Sequence, residues 1–169
     1  MINNSSPIHM KNLISTDILN WEDFNILLKN HPRQSIVVID KDGKKTTGLS
    51  EEMSLEEKNL IFIDAYKYKK EFDTLNKFFK LKIPQLNTST HSDVHIYTGH
   101  ESNCRSFGPH FDLADNIIVQ AQGKSRWIVA NCLDVILHPG DAIFIPNQVV
   151  HECIPLGRRL SLSFPFWYN

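Results

Sequence analysis

The second half of the chain constrains the fold most. From residue 93 it runs as short apolar segments, "DVHIYT", "GPHFD", "NIIVQAQ", "SRWIVA", "DVILH", "DAIFIP" and "RLSLSF". The stretches "QGKS", "HPGD" and "PLGR" supply turns between the later ones. Runs this short, closed at close intervals by Gly, Pro and Asp, leave no room for long helices, and strands joined by tight turns pair antiparallel. Such a series predicts an antiparallel barrel or jelly roll.

The first ninety residues read as a mixed front. In "STDILNWEDFNILLKNHP", Ile18, Leu19, Trp21, Phe24, Leu27 and Leu28 fall near helical spacing, with Ser15, Thr16 and Asp17 as candidate N-caps and Pro32 beyond the end. "SIVVID" predicts a strand closed by the turn "DKDG". The polar stretch 43–58 predicts a surface loop, with Ser54 and Glu57 spaced as a capping box. "LIFIDAYKY" predicts a strand, or a strand running into a helix. "KKEFDTLNKFF" puts Phe72, Leu75, Phe78 and Phe79 on one helical stripe stopped by Pro84, and "PQLNTSTHS" predicts a polar loop. No repeat or linker divides the chain. The expectation is one domain over 1–169, a helical and mixed part (1–92) packed on a β-barrel core (93–169).

Composition excludes several classes. A formal net charge of −1 gives no general attraction to nucleic acid or to an anionic membrane. No apolar run approaches the ~20 residues of a membrane span, and "MINNSSPIHMKNLIS" lacks the basic start and apolar block of a signal peptide. Cys104, Cys132 and Cys153 are odd in number and form no CxxC, which predicts free thiols in a reducing cytoplasm.

His110 and Asp112 are the chemical oddity. Two apart at the mouth of a strand, they share a face and point together into a barrel. In "HPGDAIFIPNQVVHECIPL" a turn at Gly140-Asp141, a strand "AIFIP" and a second turn at Pro146-Asn147-Gln148 bring His151 back on a neighbouring strand. Two imidazoles and one carboxylate on one side of a metal form the facial set that suits non-haem Fe(II), with open positions opposite. His9, His31, His91, His95, His100 and His138 have no such spacing and read as hydrogen-bonded core or surface residues.

"GPHFD", "DNIIVQAQGKSRW", "HPGDAIFIPNQVVHE" and "RLSLSF" resemble the catalytic core of the JmjC/cupin-like 2-oxoglutarate oxygenases, in particular the hydroxylase branch. The resemblance covers about residues 93–166. It implies a mainly β fold with flanking helices, the double-stranded β-helix (jelly roll, cupin-like barrel), and an Fe(II) site matching His110, Asp112 and His151. It also implies that 2-oxoglutarate chelates the iron and that a basic residue grips its distal carboxylate. JmjC hydroxylases usually carry that residue two positions after the glycine of the "Q-x-x-G" turn, which here is Ser125. Lys124 is adjacent but alternates toward the opposite wall. Another branch uses an Arg-x-Ser on the last core strand, which Arg159 and Ser161 fit. Arg159 lies an even number of positions from His151, so both face inward if Pro155-Leu156-Gly157 does not bulge the strand. Asn116 matches a co-substrate-contacting asparagine in some of these hydroxylases, and a strand-start role is its plain alternative. Arg126 and Arg158 read as surface groups. Trp127 and Cys153 read as core residues with the parity to reach the cavity.

The activity implied is hydroxylation of an unactivated C–H with O2 consumed and succinate and CO2 released. Family demethylases more often use His-x-Glu, so hydroxylation is favoured. The chain ends right after the last core strand, without the C-terminal helical or winged-helix region of ribosomal-protein hydroxylases. That leaves residues 1–92 and "TGHESNCRSF" as substrate-facing parts, for a peptide or protein side chain or an amino-acid-like small molecule. The alternative class is a cupin-type metalloprotein without 2-oxoglutarate chemistry: an isomerase, a Zn hydrolase or a ligand-binding module. A domain that has lost its chemistry is a third reading. The aromatic end Phe164, Phe166, Trp167 and Tyr168 caps the core or meets a second subunit, so monomer and homodimer both stand.

Overall fold

A computed structural model describes residues 6–51, 53–55, 58–99, 106–130 and 132–168. The strands are β1 (Ile8–Met10), β2 (Ile36–Ile39), β3 (Lys45–Thr47), β4 (Asn59–Phe62), β5 (His91–Ser92), β6 (His95–Gly99), β7 (Asp115–Gln122), β8 (Ser125–Val129), β9 (Leu133–Leu137), β10 (Ala142–Ile145), β11 (His151–Pro155) and β12 (Arg159–Trp167). The α-helices among the described residues are α1 (Trp21–Asn30), between β1 and β2, and α2 (Lys70–Lys82), between β4 and β5. The larger sheet runs β1-β10-β7-β12-β6-β4-β2-β3, with β5 also pairing β12, and the smaller runs β11-β8-β9. Every pairing is antiparallel. Two facing antiparallel sheets with helices on one outer side make a jelly roll, as the strand series predicts, in the double-stranded β-helix form that the resemblance implies.

Strand alternation divides the larger sheet into two chemistries. On β12 the even positions Leu160, Leu162, Phe164 and Phe166 enter a core with Phe24, Leu27, Phe72 and Phe79 of the helices. On β7 Ile117, Val119 and Ala121 join the same core, while Ile118 faces the smaller sheet with Trp127, Val129 and Cys153. Phe79 meets Phe164 edge-on at 5.2 Å between ring centroids. Deleting one such buried ring costs about 3–5 kcal/mol. The odd positions of β12, Arg159, Ser161 and Ser163, are polar and buried on the other face. The turn from β7 to β8 needs Gly123, whose φ is +69°. A Cβ there would overlap the Arg158 carbonyl oxygen at the start of β12.

Several boundaries differ from the expectations. The first helix begins at Trp21, not at Asp17, because Asn20 and Asp23 form a reciprocal capping box. Ser15 caps only a 3-10 turn at Thr16–Ile18. The expected loop after "DKDG" contains the edge strand β3, exposed throughout and paired to β2. Polar side chains outside a sheet edge look like a loop in sequence. The stretch "PQLNTSTHS" forms a 3-10 helix, Pro84–Thr88, that buries Leu86, followed by β5. "GPHFD" is no strand: only His110 pairs, through a single bridge to His151. β1 was not foreseen; it covers β10. Glu57, Cys104, His100 and residues 100–105 of "TGHESNCRSF" lie outside the described residues.

Candidate metal centre

The bridge between His110 and His151 builds the site. Each backbone N–H donates to the other residue's carbonyl, at 3.0 and 2.8 Å, and this holds the two imidazoles side by side with ring centroids 4.4 Å apart. His110 Nδ1 lies 2.7 Å from the Gly108 carbonyl and His151 Nδ1 lies 2.9 Å from the Val149 carbonyl. A carbonyl only accepts, so both Nδ1 atoms carry the proton and both Nε2 lone pairs are free for a metal. Burial, the largest influence, pushes the His151 imidazole below its usual range and keeps it neutral. Asp112 Oδ2 stands 3.6 Å from His151 Nε2. One donor atom from each of His110, Asp112 and His151 lies within 4.8 Å of the others. Asp112 is brought there by the turn after the bridge, where its carbonyl accepts from the Gln148 N–H at 2.8 Å, and not by strand pleating. Asn116 Nδ2 donates to Asp112 Oδ2 at 2.7 Å. Asn116 therefore sits behind the carboxylate and does not line the main cavity.

That cavity runs from the two histidines past Tyr97, Trp127 and Cys153 to Arg159. Arg159 is 1 % exposed, the largest of the fully buried side chains. Its Nη1 donates to Ser161 Oγ at 3.2 Å, while Nε and Nη2 have no partner among the described residues. These two N–H groups point the same way. The same pair on Arg126 grips both oxygens of Asp134 at 2.7 and 2.6 Å. Arg159 has the same fork, with no carboxylate of the described residues in it. An unpaired buried cation costs several kcal/mol, so a buried guanidinium fork without a protein carboxylate suits an anionic partner. The donor set fits Fe(II), and the open fork fits a carboxylate across the cavity from it.

Arg159 and His151 do face one cavity, but not by parity along a single strand. β11 and β12 belong to different sheets, and the turn between them carries the chain across. Lys124 is exposed and away from the cavity. Arg126 is the surface ion pair expected, and Arg158 stacks on Trp21 at 3.7 Å. His9 faces Asp141 at 3.5 Å, His31 lies between Tyr68 and Ser35, and His95 donates to Asp93 at 3.0 Å. His91 and His138 are exposed. Phe164 and Phe166 are core residues, and the Tyr168 hydroxyl donates to Asp115 at 2.6 Å, so the aromatic end caps the barrel.

Tyr97 and Gln120 were not read from the sequence. Tyr97 opposes Ser161 across β6 and β12. Burial pushes its phenol up, and Asp112 adds to the shift. Knowing that β6 pairs β12 would have singled it out, but such pairings are not written in local patterns. A second cleft runs outward from Asp112 and Tyr97 past His95 and Pro165 to Trp167. It gives the metal centre a second wall open to solvent.

The JmjC domain family matches residues 68–133. No curated protein is matched. Among solved structures, the chain is similar to YcfD, a ribosomal oxygenase from Escherichia coli, with 20% identity and a TM-score of 0.74 over 96% of this chain and 48% of that one. The same protein in complex with cobalt and 2-oxoglutarate is similar at 22% identity and a TM-score of 0.75, over 97% of this chain and 48% of that one. The likeness is one of fold, and the chain spans about half the length of these structures.

Proposed function

We propose that this chain, a JmjC-type double-stranded β-helix, is an Fe(II)- and 2-oxoglutarate-dependent oxygenase that hydroxylates a C–H bond of a protein or peptide side chain. One observation carries the reading: a His-Asp-His donor set lines the same cavity as a buried arginine whose Nε and Nη2 have no partner among the described residues. The YcfD complex with cobalt and 2-oxoglutarate supports it, since a protein of this fold takes up that pair of ligands.

In this reading His110, Asp112 and His151 hold the metal, and Arg159 holds the distal carboxylate of 2-oxoglutarate. When bound, iron and 2-oxoglutarate supply the oxidant, with O2 consumed, CO2 and succinate released and one oxygen atom delivered to the substrate carbon. The protein orients and shields. The two carbonyl-anchored imidazoles keep their Nε2 lone pairs on one side. Asn116 fixes the carboxylate that completes the set, as a positioning residue behind Asp112 and not as a co-substrate contact. Trp127, Tyr97 and Cys153 exclude water from the cavity. No side chain moves a proton: the Cys153 thiol is pushed up by burial and stays neutral.

The cleft from Asp112 to Trp167 is the substrate's approach, because it reaches the metal-binding carboxylate from outside without crossing Arg159. The description of YcfD as a ribosomal oxygenase supports a macromolecular substrate over a free amino acid. A zinc hydrolase or isomerase on the same triad leaves the Arg159 fork without use. Anaerobic reconstitution with Fe(II), then exposure to O2 and 2-oxoglutarate, should release succinate in proportion to iron. No iron-dependent succinate, with or without candidate peptides, overturns the proposal.

A further inference from the structure

Gln120 is fully buried on β7 and forms hydrogen bonds with four groups at once. Its Oε1 accepts from Ser125 Oγ at 2.6 Å and from Ser161 Oγ at 3.1 Å. Its Nε2 donates to the carbonyls of Gln122 at 2.7 Å and Leu160 at 3.2 Å. An amide has two lone pairs and two N–H groups, so every position is used and its orientation is fixed. Ser125 Oγ, whose proton goes to Gln120, accepts from Trp127 Nε1 at 3.0 Å. Ser161 Oγ, whose proton also goes to Gln120, has its lone pairs left for Arg159 Nη1. The chain of donors thus runs one way, from both Trp127 and Arg159 into one amide oxygen.

We infer that Gln120 is a positioning residue for the co-substrate: through Ser161 it locks Nη1 of Arg159, which leaves Nε and Nη2 turned into the cavity as a preformed carboxylate fork. The inference rests on the reading of Arg159 as the 2-oxoglutarate clamp. The structural logic is directional. Were Ser161 free to rotate its proton toward Nη1, it would no longer present a lone pair there, and the guanidinium could turn about its last torsions. Gln120 removes that freedom by demanding the Ser161 proton. The geometry persists because Gln120 stands opposite Ser161 in the β7–β12 register, and the register slips only beyond this pair, at Leu160. Trp127, which lines the metal side of the cavity, hangs on the same amide through Ser125. One residue therefore sets both the floor and the far wall.

The test measures ligand binding to the Mn(II)-loaded chain by calorimetry, using 2-oxoglutarate and 2-oxobutanoate, which keeps the chelating keto acid and lacks the distal carboxylate. Gln120→Met, of similar shape without hydrogen bonds, should weaken 2-oxoglutarate at least about tenfold and leave 2-oxobutanoate and Mn(II) affinities within about twofold. In turnover the change should appear in KM for 2-oxoglutarate and not in kcat. Ser161→Ala keeps Gln120 and should give the same selective loss, and Ser161→Thr, which restores the hydroxyl, should recover it. Gln120→Met or Ser161→Ala binding 2-oxoglutarate as tightly as wild type overturns the inference. So does an equal loss of both keto acids, which would mean general damage to the site. If the wild type itself shows no preference for 2-oxoglutarate over 2-oxobutanoate, the clamp reading fails first and the inference falls with it.

Discussion

Replacing Arg159 with Met should separate binding from stability in an unusual direction. Removing one member of a buried, satisfied ion pair ordinarily destabilises by about 3–5 kcal/mol, because the partner is left unpaired. Arg159 has no such partner among the described residues: its one hydrogen bond goes to Ser161, which keeps its own bond to Gln120 when the guanidinium is gone. Met fills most of the same volume and relieves the desolvation of an open cation. The ligand-free protein should therefore be unchanged or stabilised, by up to about 1–4 kcal/mol on the scale seen when buried charges give way to apolar packing. Each 1 kcal/mol raises the melting temperature by about 2–4 °C for a chain of this size. The ligand side moves the other way. A bidentate fork makes two charge-assisted hydrogen bonds, each worth about 1.5–3 kcal/mol. Losing about 3 kcal/mol weakens 2-oxoglutarate by about a hundredfold. Thermal unfolding of the ligand-free chain and calorimetric titration of the Mn(II) form read the two effects separately. A variant that loses several kcal/mol of stability while binding 2-oxoglutarate normally would refute the reasoning, since Arg159 would then be a structural residue with a partner.

Three further outcomes follow from particular contacts. Asn116→Leu should lower Mn(II) affinity about 10–100-fold, the usual cost of losing a group that orients a ligand, read by calorimetric metal titration; unchanged affinity would remove Asn116 from the metal site. His31 is buried between Tyr68 and Ser35 and against Phe62, and burial pushes its imidazole below the ordinary 6.5. The folded state then binds fewer protons than the unfolded one, so stability is full above pH 6.5 and declines as pH falls from there toward the lowered folded value; urea unfolding at pH 7.5, 6.5 and 5.5 should show this slope, and His31→Gln should flatten it. Residues 1–92 and 93–169 are proposed as one folding unit: a fragment of 93–169 alone exposes the faces of Phe164 and Phe166 that the helices cover and unpairs β6 from β4. It should show no cooperative unfolding transition in calorimetry, and a sharp transition in the isolated fragment would divide the chain into two units.

The barrel was legible because alternation and turns are local signals. "RLSLSF" announces a strand with one apolar and one polar face, and both faces are buried as such, one in the helix-covered core and one in the cavity. His110 and Asp112 stood out because a His-x-Asp pair is rare at the mouth of an apolar strand, and His151 because two turns, at Gly140-Asp141 and Pro146-Asn147-Gln148, return the chain. What misled is instructive at the same positions. Asp112 reaches the cavity by a turn, and Arg159 by the crossing from one sheet to the other, so the pleating argument that put them there does not hold. β3 and the 3-10 helix at Pro84–Thr88 were unreadable because their stability comes from a partner, β2 in one case and the burial of Leu86 in the other. Tyr97 and Gln120 depend on the pairings of β12 with β6 and β7, and long-range register leaves no trace in either strand's own pattern.

The same alternation explains how the fold holds a buried guanidinium that has no anionic partner among the described residues. β12 hydrogen-bonds on both edges, to β6 and to β7, and its even residues are fully buried in the helix-packed core. That anchoring fixes the backbone from which Arg159 projects, so the open fork cannot relax by moving the strand, and Gln120 holds the nearest hydroxyl in place. Stability is gathered on one face and the cost of preorganisation on the other. Substitutions at Leu160, Leu162 or Phe164 should therefore lower stability first and ligand affinity only through unfolding. Substitutions at Arg159, Ser161 and Ser163 should do the reverse along the same nine residues.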